Sequence, residues 1–349
     1  TMKKSSKYLL IIGGILSVVG VVTMGISIVA GASTGVVIGG NGIQVAETKV
    51  MDMGKGETIQ DQKVLESFES LYVDAGVSEI RLVPSDHYGM EYQLNRSDGE
   101  LSCEVKDGAL HVTQGSNGGI HFNLDLFGWM NRQKTYLAIY YPEGTQFNTV
   151  QVENSLGELT VKDIKAKTAD FSLDLGYGVY ENIEAEKLTI HHDSGSLNIS
   201  NGTVGSLEIQ CELGEAQLSG ITANQMNFQG DLGSLSIRNS LLRQSEISCS
   251  MGEVDIQGLE SDGLQIEADN GSVVVEGTLR GRTGIDAEMG SIHVTTTLGK
   301  NEYNYDVHCE MGEIYMNGEE QGGLTFDTGA ENDLDLQADL GSIHINVKE

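Results

Sequence analysis

The chain has 349 residues and a formal net charge of −30, from 51 Asp and Glu against 21 Lys and Arg. So acidic a surface repels nucleic acid and anionic polymers and favours cations or basic partners. Nucleic-acid binding is thereby excluded. Only two prolines occur, Pro84 and Pro142, so few backbone donors are lost to strand pairing.

Residues 1–7 carry Lys3, Lys4 and Lys7, and Tyr8 to Ala30 follow without a charge. As a helix that run would be roughly 34 Å long, enough to cross a bilayer. The lysines place 1–7 in the cytoplasm and everything after the transmembrane helix at 8–30 outside. A cleaved signal peptide is the alternative, because Ala30, Gly31 and Ala32 are small enough for a cleavage site. The length of the apolar run favours an uncleaved anchor. Thr23, Ser27, Gly31 and Gly35 recur every four residues, a spacing that would let two membrane helices associate. Small residues are also common in anchors without that role. Residues 31–67 lack periodicity and read as a juxtamembrane linker.

Residues 68–150 read as an N-terminal cap with degenerate coils. Asp74, Ala75 and Gly76, followed by Ile80 and Leu82, echo the repeat described next, and Leu101, Cys103 and Val105 alternate as a strand does. Phe127, Trp129 and Met130 lie just before Arg132 and Lys134. They are expected to cover an open end of the core, or else to form an exposed interaction tip.

The region 151–349 is periodic. Gly157, Gly176, Gly195, Gly214, Gly233, Gly252, Gly271 and Gly290 are each 19 residues apart, and Gly312 and Gly341 continue the series at looser spacing. Counted from each glycine, positions +2 and +4 are apolar, as in Leu197 and Ile199 or Leu235 and Ile237. Val179 stands one place late in its repeat. A further apolar residue lies near +7 or +8, as in Ile164, Ile183 and Ile221, and a second alternating run contains Leu207, Ile209 and Cys211. Period-two alternation rich in Val, Ile and Leu predicts strands, and a strict repeat predicts a solenoid. The fold expected is all-β, a parallel β-helix or β-solenoid of ~19-residue coils stacked in chain order. Position −1 is also apolar (Leu156, Leu213, Leu232, Met251, Met289, Met311, Leu340), so the interior is expected to take −3, −1, +2 and +4. Residues 303–338 are expected to carry longer loops.

Cys211, Cys249 and Cys309 each stand three residues before a marker glycine. Two coils separate Cys211 from Cys249, roughly 9.6 Å, which no disulfide spans. Free buried thiols are expected.

Nearly every coil has a carboxylate at −2 or +1. Asp193, Glu212, Asp231, Asp269 and Glu288 could share calcium between adjacent coils. The repeat signature for that chemistry is GGxGxD, and the nearest match, Gly39 to Gln44 (GGNGIQ), ends in Gln and occurs once. A solvated acidic edge is the stronger reading, with no cofactor. HExxH, GxSxG, P-loop and CxxC motifs are absent. His191 and His192 should face opposite sides of a strand, and His293 and His344 share position +3 with a coil bearing Tyr315 between them. A carbohydrate-active β-helix enzyme would need clustered acids and aromatics, and aromatic residues are only 6 % of the chain.

The segment Leu137 to Gly144 (LAIYYPEG), with the repeats Asp193 to Ile199 (DSGSLNI) and Asp231 to Ile237 (DLGSLSI), carries a resemblance. The chain resembles the membrane-anchored β-strand-repeat proteins of Gram-positive bacteria grouped as "putative adhesins", a domain of unknown function. The resemblance implies a β-solenoid on the outer face of the membrane, sometimes linked to envelope stress, and supplies no catalytic residues. The expected function is a non-catalytic binding or scaffolding module at the cell envelope. Its partners would be the lipid bilayer and a membrane or envelope protein; a surface adhesin for external ligands is the alternative.

Overall fold

A computed structural model describes residues 36–39, 42–45, 58–95, 100–115 and 134–349. The apolar run Tyr8 to Ala30, the small residues Thr23, Ser27, Gly31 and Gly35, and the aromatic stretch with Phe127, Trp129 and Met130 lie outside these residues. Among the described residues no helix is long and apolar enough to cross a membrane. Two compact units are distinguished. In the first, Val36–Gly39 pairs antiparallel with Gly42–Val45. The second comprises 59–94, 101–114 and 134–349 and holds the repeat.

Within the repeat, 17-residue strands such as Gln146–Lys162, Lys165–Glu181, Glu184–Ser200, Thr203–Ser219 and Thr222–Arg238 lie parallel. Each residue pairs with the one 19 places on: Gly157 with Gly176, Gly176 with Gly195, Gly195 with Gly214. Positions −7, −5, −3, +2 and +4 point inward, as Leu207, Ile209, Cys211, Ala216 and Leu218 show. Burying one aliphatic side chain contributes roughly 1.5–3 kcal/mol. A single coil cannot enclose its own apolar row, so that gain appears only when neighbours stack.

Two corners close each coil. At the first, the marker glycines have φ between 124° and 158°. A Cβ at Gly176 would lie 1.7 Å from the Gly157 carbonyl oxygen, and one at Gly233 would lie 1.6 Å from that of Gly214. Glycine is therefore required twice over, by its backbone angle and by the approach of the neighbouring coil. The second corner places a left-handed residue at +6: Asp163, Asn182, Asn201, Gly220, Asn239 and Gly258. Asp, Asn and Gly are the residues that adopt this conformation most readily. Asn182 Nδ2 donates to Asp163 Oδ1 at 2.8 Å, linking one corner to the next.

Several expectations need correction. Position −1 does not enter the core. The glycine conformation lengthens the corner, so −2, −1 and +1 all face solvent between the inward residues −3 and +2. Val179 is not displaced: Gly178 occupies +2, and the Tyr180 ring at +4 fills the space that a Gly178 side chain would take. Gly76 is not a marker either; Ser78 holds that place, with its carbonyl 2.2 Å from where a Gly157 Cβ would stand.

The coils also depart from chain order at both ends. Ser70–Asp74 and Glu79–Ser85 pair with Gln146–Lys162 on one side. On the other side they pair with Ala109–Gly115 and Tyr136–Pro142. At the opposite end, Asn332–Leu340 lies between Val273–Met289 and Tyr303–Met311. Ile343–Lys348 lies likewise between Ile292–Gly299 and Ile314–Met316. The coil of Gly341 therefore separates those of Gly290 and Gly312. Residues 303–338 hold strands in place of the expected long loops, including the short antiparallel pieces Glu319–Gln321 and Leu324–Phe326. Such short antiparallel strands, the first bearing Glu319 and Glu320, blunt an edge that would otherwise template aggregation.

Candidate interaction surface

The misplaced column is the surface feature that stands out. In spatial order it reads Leu156, Leu175, Ser194, Leu213, Leu232, Met251, Asn270, Met289, Leu340 and Met311. Its eight apolar members are between 41 % and 63 % exposed. Isolated exposed leucines are ordinary, but eight on one line, broken only at Ser194 and Asn270, form a ridge. The adjoining glycine column has no side chains to shade it. Tyr177, at +1 beside Leu175, adds an exposed ring.

Carboxylates border the ridge on both sides. The ten tetrapeptides from −2 to +1 contain twelve Asp and Glu and no Lys, Arg or His. Asp193, Glu212, Asp231, Asp269 and Glu288, singled out from the sequence, all lie in this border and are exposed. Among the described residues, the ion pairs use acids elsewhere: Lys162 with Glu181 at 2.7 Å, Lys187 with Glu208 at 3.2 Å, Arg282 with Asp335 at 2.6 Å. The border is thus uncompensated negative charge. Among the described residues no group of three or more His, Cys, Asp or Glu side chains is disposed to hold a metal ion.

The flat face before the glycine corner is different. A shallow depression of about 680 Å³ runs across it, edged by Glu208, Asn227, Gln244, Glu246, Gln265 and Arg282. These are hydrogen-bonding groups without an aromatic platform.

The interior contains groups of the kinds that catalysis recruits elsewhere, but they are sealed. His191 and His192 do face opposite ways: His191 Nδ1 is 2.9 Å from Gln210 Oε1 on the outside, while His192 is buried. Neither ring nitrogen of His192 has a hydrogen-bond partner, and burial holds its pKa below the ordinary imidazole value. All four cysteines are free. Cys211 and Cys249 are buried, and burial, with Cys211 nearby, pushes the Cys249 thiol up to about 12. Such thiols are unreactive.

His293 and His344 are in direct contact, with no Tyr315 between them. Their ring centroids are 4.6 Å apart, and Tyr315 stacks on the far face of His344 at 4.8 Å. The swapped coil order brings the two histidines together.

Sequence reasoning missed the ridge because Leu and Met in a strand pattern suggest burial. A signal was present. Ser194 and Asn270 interrupt the column, whereas +2 and +4 admit no such polar residue.

Comparison with known proteins yields the family. The chain is similar to a "putative adhesin" from Parabacteroides merdae at 12 % identity, covering 84 % of this chain and 98 % of that one, TM-score 0.42. It is similar to another from Parabacteroides distasonis at 11 % identity, covering 83 % and 98 %, TM-score 0.41. A "putative lipid binding protein" from Parabacteroides distasonis is similar at 12 % identity, covering 85 % and 98 %, TM-score 0.32. No curated protein matches the chain. The Toastrack DUF4097 family model matches residues 68–220 and 203–346. The periodic glycines, the stacked coils and this match over most of the sequence agree, and the chain belongs to the Toastrack DUF4097 family, whose function is unknown.

Proposed function

We propose that this protein is a non-catalytic binding module of the bacterial cell envelope, held at the membrane by Tyr8 to Ala30 with the solenoid outside. The lysines before that run and the absence of charge within it support the anchoring. The observation that carries the binding role is the exposed ridge. Eight apolar side chains in a line, one in each coil except those of Ser194 and Asn270, serve no packing purpose within the described fold. A stack of rigid coils holds such a line straight and presents it to a partner.

Site-specific photo-crosslinking in membranes carrying the full chain tests this reading. A crosslinker replacing Leu232 on the ridge should give discrete adducts, and one replacing Gln225 on the polar face should not. Equal labelling from both positions, or none from Leu232, would remove the ridge as the binding surface.

A further inference from the structure

We propose that the ridge binds a basic amphipathic helix of a partner protein, lying lengthwise along the central run Leu213, Leu232 and Met251. This rests on the reading of the ridge as a binding surface and specifies what occupies it.

Three observations select the occupant. The first is charge. Glu212, Glu215, Asp231 and Glu253 flank the central run, are exposed, and form no ion pair among the described residues. An apolar line between two acidic borders fits a segment whose apolar stripe lies between basic residues. A second copy of this chain would bring carboxylate against carboxylate and is disfavoured. An anionic lipid surface is disfavoured for the same reason.

The second is spacing. Coils repeat at roughly 4.8 Å, and one turn of an α-helix advances about 5.4 Å. One apolar residue per turn therefore follows the ridge with a drift of about 0.6 Å per coil. An extended strand repeats its facing side chains every ~6.8 Å and loses register after a single coil. The third is length. Ser194 and Asn270 interrupt the apolar column on either side of the central run. Three coils match about three helical turns, or about 11 residues. Met251 adds a side chain that adapts to varied partners.

The test uses the full chain in phosphatidylcholine nanodiscs, with empty nanodiscs as the blank. The probe is a fluorescent 14-residue helical peptide with leucine at i, i+3, i+4, i+7 and i+11 and lysine on both flanks. Anisotropy should show saturable 1:1 binding, weakened by salt. The variant L213S/L232S/M251S, altered only at exposed positions, should keep its circular dichroism spectrum and lose at least tenfold in affinity. The variant E212Q/E215Q/D231N should lose affinity and salt dependence together. A lysine peptide of equal charge with scrambled leucines should bind at least tenfold more weakly. Equal binding of the scrambled peptide, or no loss in the serine variant, would reduce the effect to charge attraction and overturn the proposal. Self-association of the wild type in sedimentation, abolished in the serine variant and without peptide binding, would overturn it in favour of a second copy. If crosslinks form at position 232 while the peptide fails to bind, the partner chemistry is wrong and the binding surface stands.

Discussion

His293 stacks face to face on His344, centroids 4.6 Å apart and planes 1° from parallel. The contact exists because Ile343–Lys348 is inserted between Ile292–Gly299 and Ile314–Met316. Removing residues 332–349 should therefore do more than fray one end. It would leave Tyr303–Met311 and Ile314–Met316 without their parallel neighbour and uncover Val273–Met289. Hydrogen exchange should show lost protection on both sides of the deletion, in 273–299 and in 303–316. Protection retained in 303–316 would contradict the inserted order.

Two histidines contribute to the pH response of stability. Burial lowers the folded pKa of His192, and burial with the neighbouring His344 lowers that of His293. The unfolded chain then binds more protons than the folded one below the ordinary value of 6.5. Stability is fully present above that value and falls as pH drops towards the lowered folded values. His192→Leu should flatten the urea midpoint between pH 7 and 5, and His293→Gln should do so by less, because His293 is exposed. At pH 7 His192→Leu should also stabilise by about 1–3 kcal/mol, since it removes a buried polar group with no partner. A destabilised H192L protein would mean that the ring is held by the backbone of Gly176 beside it.

A corner glycine and a hairpin-turn glycine, Gly318 between Ile314–Met316 and Glu319–Gln321, differ in what they tolerate. Gly233→Ala must adopt φ of 151° and drive a methyl into the Gly214 carbonyl, so it should cost more than about 3 kcal/mol or prevent folding. Gly318→Ala has φ of 80° but no atom within 4 Å, and should cost about 1 kcal/mol. Denaturation midpoints for the two variants side by side would separate strain from steric conflict.

Thiol labelling follows burial. Iodoacetamide at pH 8 should modify the part-exposed Cys103 and Cys309 and leave Cys211 and Cys249 untouched until denaturant is added. Cys309 should lag behind Cys103, because its Sγ donates to the Gly341 carbonyl at 3.2 Å. A Cys211–Cys249 bridge in a non-reducing peptide map would contradict the coil spacing.

The coil was legible in the sequence because its cause is local and repeated: a carbonyl beneath every marker glycine permits no other residue. Columns +2 and +4 were legible for the same reason, as were the free cysteines. Two features were not. Leu232 and its column looked buried, since strand alternation counts residues and does not register that glycine at φ of 151° prolongs the corner. Val179 looked displaced because Gly178 leaves +2 without a side chain and the Tyr180 ring fills that space, a compensation visible only once side chains are placed. The order of the terminal coils was hidden for a different reason. Spacings of 22 and 29 announce an interruption without saying which strand returns to fill it.

The glycine clashes all point one way. A Cβ at Gly312 would meet the Gly341 carbonyl, one at Gly341 that of Gly290, and so on down to Gly157 over Ser78. Below Ser78 the series ends, where Thr135 Oγ1 accepts from the Ser78 backbone at 2.9 Å. The array is thus polar like a staircase, in which each step dictates the residue above it and never the one below. Duplication of a unit beyond Gly312 would place a demand only on the newcomer, whereas beneath Ser78 the coil of Thr135 and Tyr136–Pro142 is already stacked without requiring a glycine.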